Sequence, residues 1–334
     1  MSKLRHLTSL DDLSAGELSE LLELSLSIKQ AGASAALSGR SIGLLFFRGS
    51  LRTRTSFEVA TNQLGAHTVN LTASSDFWDL EAETGSVMDG RAPEHVKDAA
   101  RVLSRYVDAL AIRPALAEQS WEMDRRDAGI RAWTENAEVP VINMESALWH
   151  PLQALADLMT MRETLGELRG KKLAIAWTHS PTPASPAVIH SLLSGAVREG
   201  MEVSIAHPPG YDLDAEVLGK ANELAAGAGV KIQTESREAC VDGAHVVYAR
   251  SWQSLESYGN PTLAASRRSR TGDWRIDASL MARSSDARLM HAMPVRRNLE
   301  ITDEVLDGES SLIYQQAENR LHSQKALLMK LLGS

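Results

Sequence analysis

Three separated stretches of this chain carry residue types that could act together on a small anion. In the first, Ser50, Arg52, Thr53 and Arg54 follow an apolar run at 42–47 and a turn at Gly49. Helical spacing then begins, with Phe57, Ala60 and Leu64 on one face. Strand, tight loop and helix together bring a helix's first N–H groups, its positive dipole end, hydroxyls and guanidinium groups into one turn. That is a cradle for phosphate. It is not a Walker loop, because no Gly-x-x-x-x-Gly-Lys-Ser/Thr occurs. In the second stretch, Arg113 ends a buried strand read over 107–112 and Glu145 ends the next strand, over 139–144. A charged residue at the C-terminal end of a strand in an open α/β sheet points into the crevice where ligands bind. In the third, His150 and Gln153 lie three apart at the start of a helix and can face one point. Each has an ordinary reading on its own: a capped surface helix, a routine ion-pair arginine, a satisfied core histidine.

The elements that must position these residues read as alternating strands and helices. Ser14 and Glu17 form a capping box for a first helix over 14–33. A short strand follows near 68–71, then a polar loop holding Phe77 and Trp78, then Pro93 at the start of an amphipathic helix. After 172 the alternation resumes, with strands near 173–177, 203–206, 230–233 and 246–249. No Gly-x-Gly-x-x-Gly follows any of them, so a dinucleotide site is not supported. The spacing predicts an α/β fold of two doubly wound parallel-sheet domains joined by interdomain helices. The expected boundaries are 1–150, 151–316, and a C-terminal helix over 317–334 packing back on the first domain.

Composition narrows the function classes. The 334 residues exceed one ordinary core. A net charge of −8 weighs against nucleic acid and gives no reason to invoke a membrane surface. One cysteine, Cys240, excludes an internal disulfide and a multi-cysteine metal site and suits a reducing compartment. With no long apolar run, a cytoplasmic protein is expected.

The motifs together resemble the aspartate/ornithine carbamoyltransferase family. Ser50-Leu51-Arg52-Thr53-Arg54 resembles its Ser-x-Arg-Thr-Arg phosphate signature, and His150 to Asp157 its His-Pro-x-Gln-x-x-Ala-Asp motif. His291-Ala292-Met293-Pro294 resembles its His-Cys-Leu-Pro turn, with Ala292 in place of cysteine. Ala317-Glu318-Asn319-Arg320 resembles its late Glu-Asn-Arg motif. The order and spacing match over nearly the whole chain. The resemblance implies a carbamoyl phosphate-binding domain followed by an acceptor-binding domain. Ser50, the Leu51 N–H, Arg52, Thr53 and Arg54 would hold the phosphate, assisted by Arg320. Trp78 would come from an adjacent subunit of a homotrimer with shared active sites. Arg113, His150 and Thr53 would bond the carbonyl oxygen. Gln153 and the backbone carbonyls of Ala292 and Met293 would hold the carbamoyl NH₂. No metal or organic cofactor is implied.

The resemblance extends to the branch that carbamoylates N-acylated ornithine for arginine biosynthesis. Phe77-Trp78, Val87 to Gly90, Val141 to Glu145 and Tyr248 to Trp252 are similar to it. The Ser-Met-Gly motif for free ornithine is replaced by Ser251-Trp252-Gln253. Glu145, Arg250, Pro93, His179, Arg296, Arg297 and Glu300 are the acceptor-binding candidates, with no choice made between Arg296 and Arg297. Pro93 stands where the succinyl-preferring branch has proline and the acetyl-preferring branch an acidic residue. A carboxylate there would repel a succinyl tail. The expected acceptor is therefore N-succinyl-L-ornithine, giving N-succinyl-L-citrulline. N-acetyl-L-ornithine or another amine is the alternative, since Thr182 and Arg250 depart from both branches and Glu300 falls where the acetyl branch carries a lysine. A non-catalytic ligand-binding paralogue is the competing class. The full set Ser50, Arg52, Thr53, Arg113, His150 and Gln153 speaks against it.

Overall fold

The computed structural model describes residues 6–32, 35–182 and 184–333. They divide into two compact units. The first comprises the described residues of Met1–Ala117, Glu122–Leu155 and Arg320–Ser334, and the second those of Glu118–Trp121 and Ala156–Asn319. Two helices, Pro151–Leu165 and Ile313–Leu332, contribute residues to both units.

The strands of the first unit are β1 (His6–Leu7), β2 (Ser41–Phe46), β3 (His67–Thr72), β4 (Leu80–Glu81), β5 (Glu94–His95), β6 (Ala109–Arg113) and β7 (Val141–Asn143). Five of them form a parallel sheet in the order β1-β7-β6-β2-β3, and β4 pairs separately with β5. β2 and β6 are buried almost throughout, which is why each reads as an unbroken apolar run rather than an alternation. From β2 the chain steps to β3 on one side, then crosses to β6 and β7 on the other. The loops after β2 and β6 therefore part, and ligands of open α/β sheets bind at such a switch point. The register sets Phe46 beside Arg113, so both loops leave from one level.

Local sequence explains the helix ends. Ser14 and Glu17 close the expected capping box on the helix Ala15–Ala31. Pro151 occupies the first position of its helix, where its missing N–H costs nothing. Pro93, expected to open a helix, instead lies exposed just before β5. The helix Val96–Leu103 is capped by His95, whose ring accepts the Lys97 N–H. Neither the two-residue β1 nor the helix Ala128–Asn136 was read from the sequence.

In the second unit β8 (Lys172–Trp177), β9 (Glu202–Ala206), β10 (Ile232–Thr234), β11 (Val246–Arg250) and β12 (Arg288–Met290) form a parallel sheet in the order β10-β9-β8-β11-β12. Its switch point lies between β8 and β11, so residues 178–182 and 251–253 flank a second crevice. Cys240 is an unpaired core thiol, and burial pushes its pKa up to about 12, far from the thiolate range. No helix among the described residues is long and apolar enough to cross a membrane.

Candidate active site

At the C-terminal edge of the first unit's sheet, three loops meet a helix from the far end of the chain. The loop after β2 leads into the helix Arg52–Gln63, which no side chain caps at Leu51. Ser50 Oγ accepts the Thr53 N–H at 3.3 Å. Thr53 is buried, and its hydroxyl oxygen accepts a 2.6 Å bond from Arg320 Nη2. Arg320 Nη1 donates to Gln153 Oε1 at 2.9 Å. One guanidinium thus bridges the Ser-x-Arg-Thr-Arg turn and the His-Pro-x-Gln helix, with all three residues no more than 4% exposed. His150, 3% exposed, turns into that helix through its carbonyl, which accepts the N–H groups of Gln153 and Ala154.

Arg113 and Glu145 form a pair at 2.6 Å, their side chains 13% and 11% exposed. Burial pushes the Arg113 pKa below the usual arginine range. The Glu145 carboxylate opposes that shift, and the positive charges of Arg48 and Arg52 add to it. Arginine remains a cation at neutral pH all the same. Arg48 and Arg52 thus lie close enough to Arg113 to act on its charge, and the Glu145 carboxylate opposes them. Guanidinium groups gathered in a partly desolvated crevice are suited to an anion.

Arg48 was not singled out in the sequence. Its Nε donates to the Pro114 carbonyl at 3.0 Å and its Nη2 to the Glu145 carbonyl at 2.8 Å. It therefore ties together the chain just after Arg113 and the residue that pairs with Arg113. The only signal was its place directly after the β2 run. Glu145 has φ of 140°, a strained value for a residue with a side chain. Its N–H is held by Asn143 Oδ1 at 3.0 Å.

Arg54 is anchored elsewhere in the same unit. Its guanidinium donates to Asn70 and Thr72 on β3 and lies 4.1 Å from the centroid of the Phe46 ring. Leu51 is exposed, as is Trp78, whose indole N–H donates to Glu94 at 2.7 Å. Glu94 directly follows Pro93, so Trp78 and Pro93 share one exposed flap.

In the second unit, candidates gather at the C-terminal ends of β8, β11 and β12. His179 Nδ1 lies 2.9 Å from Thr271 Oγ1. Arg250 is 8% exposed, and its Nη1 reaches the Met293 carbonyl at 3.4 Å. Ala292 is buried beside it. Arg296 donates to Ser180 and Thr182 in the segment after β8. Arg297 instead forms an exposed ion-pair cluster with Asp303 and Asp307, which raises its pKa above the usual arginine range. The structure thus separates two arginines that the sequence left equivalent.

Glu300 is buried, with its carboxylate 2.9 Å from His291 Nε2. The Met293 N–H donates to His291 Nδ1 at 2.8 Å, so the ring proton belongs on Nε2 and is donated to Glu300. Glu300 thereby fixes the ring that holds the 291–294 turn, a contact that no sequence spacing announced.

Comparisons with known proteins agree with this architecture. The aspartate/ornithine carbamoyltransferase carbamoyl-P binding domain matches residues 5–163, and the Asp/Orn binding domain of the same family matches residues 170–331. The N-acetylornithine carbamoyltransferase of Xanthomonas campestris pv. campestris is 39% identical over 334 residues, covering 99% of this chain and 98% of that protein. A crystal structure of acetylornithine transcarbamylase complexed with acetylcitrulline superposes with a TM-score of 0.96 at 38% identity, covering 99% of this chain and 100% of the other. A variant of N-acetyl-L-ornithine transcarbamylase with a glutamate replaced by proline, complexed with carbamyl phosphate and N-succinyl-L-norvaline, gives a TM-score of 0.96 at 38% identity over 98% of this chain and 100% of the other.

Proposed function

Since this chain belongs to the aspartate/ornithine carbamoyltransferase family and is a carbamoyltransferase, we propose that it transfers the carbamoyl group of carbamoyl phosphate to the δ-amine of N-acetyl-L-ornithine. The observation that carries the donor half is the Arg320 fork, which joins Thr53 to Gln153 in one buried cluster. The name of the Xanthomonas relative and that of the acetylcitrulline complex support the acetyl group, against the succinyl group expected from Pro93.

The chemistry follows from charge development. The neutral δ-amine attacks the carbamoyl carbon, and negative charge grows on the carbonyl oxygen. Arg113, His150 and the Thr53 hydroxyl are the donors assigned to that oxygen. Ser50, the Leu51 N–H, Arg52, Thr53 and Arg54 take the phosphate, with Arg320 supporting them. The C–O bond to phosphate breaks, and the departing phosphate accepts the amine proton. Catalysis is then mainly positioning and preorganised electrostatics. On the second unit, Arg250, His179 and Arg296 are the groups assigned to the acceptor. Arg297 is a weaker candidate because two carboxylates already hold it.

Pro93 favours a second reading, N-succinyl-L-ornithine. The side chain adds no negative charge to the flap it shares with Trp78, and a relative with proline in place of glutamate was solved with a succinylated ligand. Phosphate release from carbamoyl phosphate, measured with N-acetyl-, N-succinyl- and free L-ornithine, separates the readings. The largest kcat/KM is expected with the acetyl compound. A succinyl preference would shift the assignment to the second reading, and no turnover with any of the three would remove both. Pro93→Glu should raise the acetyl-to-succinyl ratio of kcat/KM by roughly tenfold, about 1.4 kcal/mol of like-charge discrimination. An unchanged ratio would mean that Pro93 does not face the acyl group.

A further inference from the structure

We infer that Asp127, outside the motifs quoted from the sequence, is a positioning residue that holds the 144–150 loop in the conformation that sets Glu145 against Arg113 and His150 at the head of its helix. This rests on the carbamoyl-transfer reading and deepens it.

Asp127 immediately precedes the helix Ala128–Asn136. Its backbone is left-handed, φ 50° and ψ 36°, and its side chain does not cap its own helix. The carboxylate reaches across to the loop instead. Oδ2 accepts the Ser146 hydroxyl at 2.6 Å, and Oδ1 accepts the Leu148 N–H at 3.2 Å. Ser146 in turn accepts from Asn143 Nδ2 at 2.9 Å, and Asn143 Oδ1 holds the Glu145 N–H. Asp127, Ser146 and Asn143 therefore brace the strained backbone of Glu145 from one side, while Arg48 holds its carbonyl from the other.

The carboxylate occupies an unfavourable place. It borders a cavity of about 210 Å³ lined by Pro114, Leu116, Met123, Ile130 and Ala147. Burial raises its pKa from 3.8 to about 6, despite hydrogen bonds from Ser146, Leu148 and Ala147 and the positive charge of Arg131 that favour ionisation. Asp124 lines the same cavity, residues 114–117 contribute no titratable side chain, and on the loop Glu145 is engaged by Arg113. Asparagine would suit a left-handed position at least as well and carry no charge to desolvate. A carboxylate kept there at a cost in stability is explained by what it does to the loop.

Because the folded pKa is raised, the protonated form favours the folded state. That contribution is full below pH 4 and lost as pH rises through about 6. The ionised form, which can accept from both Ser146 and Leu148, prevails above 6. Activity should therefore gain a component that falls as pH drops through about 6, where one oxygen becomes a donor.

The test uses the full chain and Asp127→Asn, with Ser146→Ala as a second variant that leaves the carboxylate in place. Readouts are Tm, kcat, KM for carbamoyl phosphate, and the pH profile of kcat. Asp127→Asn is expected to leave Tm at pH 8 unchanged or higher, lower kcat by roughly tenfold or more through misplacement of the reacting groups, and lose the acid component near pH 6. Ser146→Ala should lower kcat by a smaller factor and retain that component. An Asp127→Asn protein with wild-type kcat, with the acid component intact, or with a Tm lowered in step with kcat would overturn the inference. Calorimetry of carbamoyl phosphate on the wild type separates the two levels of failure. No binding there would bring down the carbamoyl-transfer reading and this inference with it. Binding and turnover that Asp127→Asn leaves untouched would remove only the positioning role.

Discussion

Arg113→Ala is expected to reduce kcat by roughly 100- to 1,000-fold, the range for loss of one preorganised donor to a developing oxyanion. Two costs combine in this variant, and they can be separated. Arg113 is assigned to the carbonyl oxygen, where charge appears only as the amine attacks, so kcat should suffer more than the KM for carbamoyl phosphate. Arg113 is also the 2.6 Å partner of a largely buried Glu145. Removing one partner of a buried pair is destabilising, with about 3–5 kcal/mol as the upper bound for a carboxylate left with no cation nearby. A clear fall in Tm should therefore accompany the fall in kcat. The double variant Arg113→Ala/Glu145→Gln removes the carboxylate as well and should recover most of the Tm while leaving kcat low. Recovery of both together would mean that Arg113 serves the fold alone.

Arg320→Ala has the second-largest expected effect, because one guanidinium serves two motifs. Its loss takes a charged donor away from the buried Thr53 hydroxyl and from the buried Gln153 carbonyl oxygen. Stranding a buried polar group costs about 1–3 kcal/mol. The larger consequence is geometric. The phosphate turn and the helix after His150 lose their common brace, and a displacement near 1 Å costs on the order of 100-fold in rate. We expect kcat/KM for carbamoyl phosphate to fall by roughly that factor. Arg320→Lys keeps the charge but not the planar fork. It should recover less than half of the loss in free-energy terms, whereas full recovery by lysine would reduce Arg320 to a point charge.

Much of this site was legible because it is written in short, contiguous motifs. Ser50 to Arg54 and His150 to Gln153 each combine a helix start with polar groups at fixed offsets, and local rules read such patterns well. The buried strands were legible too, since β2, β6 and β11 are mostly apolar, with Arg113 and Arg250 only at the ends of β6 and β11. The partners were not. Nothing near Arg113 names Glu145, and nothing near Glu300 names His291, because those pairs form only when separate loops meet. Arg296 and Arg297 are adjacent and alike in sequence. Only the fold sends one to Thr182 and the other to Asp303 and Asp307. Asp127 belongs to no motif quoted from the sequence, and its reach to Ser146 comes from a residue with a left-handed backbone. Pro93 shows the opposite limit. A charge argument at one position points to a succinyl acceptor, while the Xanthomonas relative and the acetylcitrulline complex, which cover 99% of this chain, carry acetylornithine in their names.

A crystal structure of the full chain with carbamoyl phosphate bound tests the account most directly. It should show the phosphate on the 50–54 turn beside Arg52, with the carbamoyl oxygen within hydrogen-bond distance of Arg113 and His150. A phosphate held elsewhere, or a carbamoyl group turned away from Arg113 and His150, would contradict it.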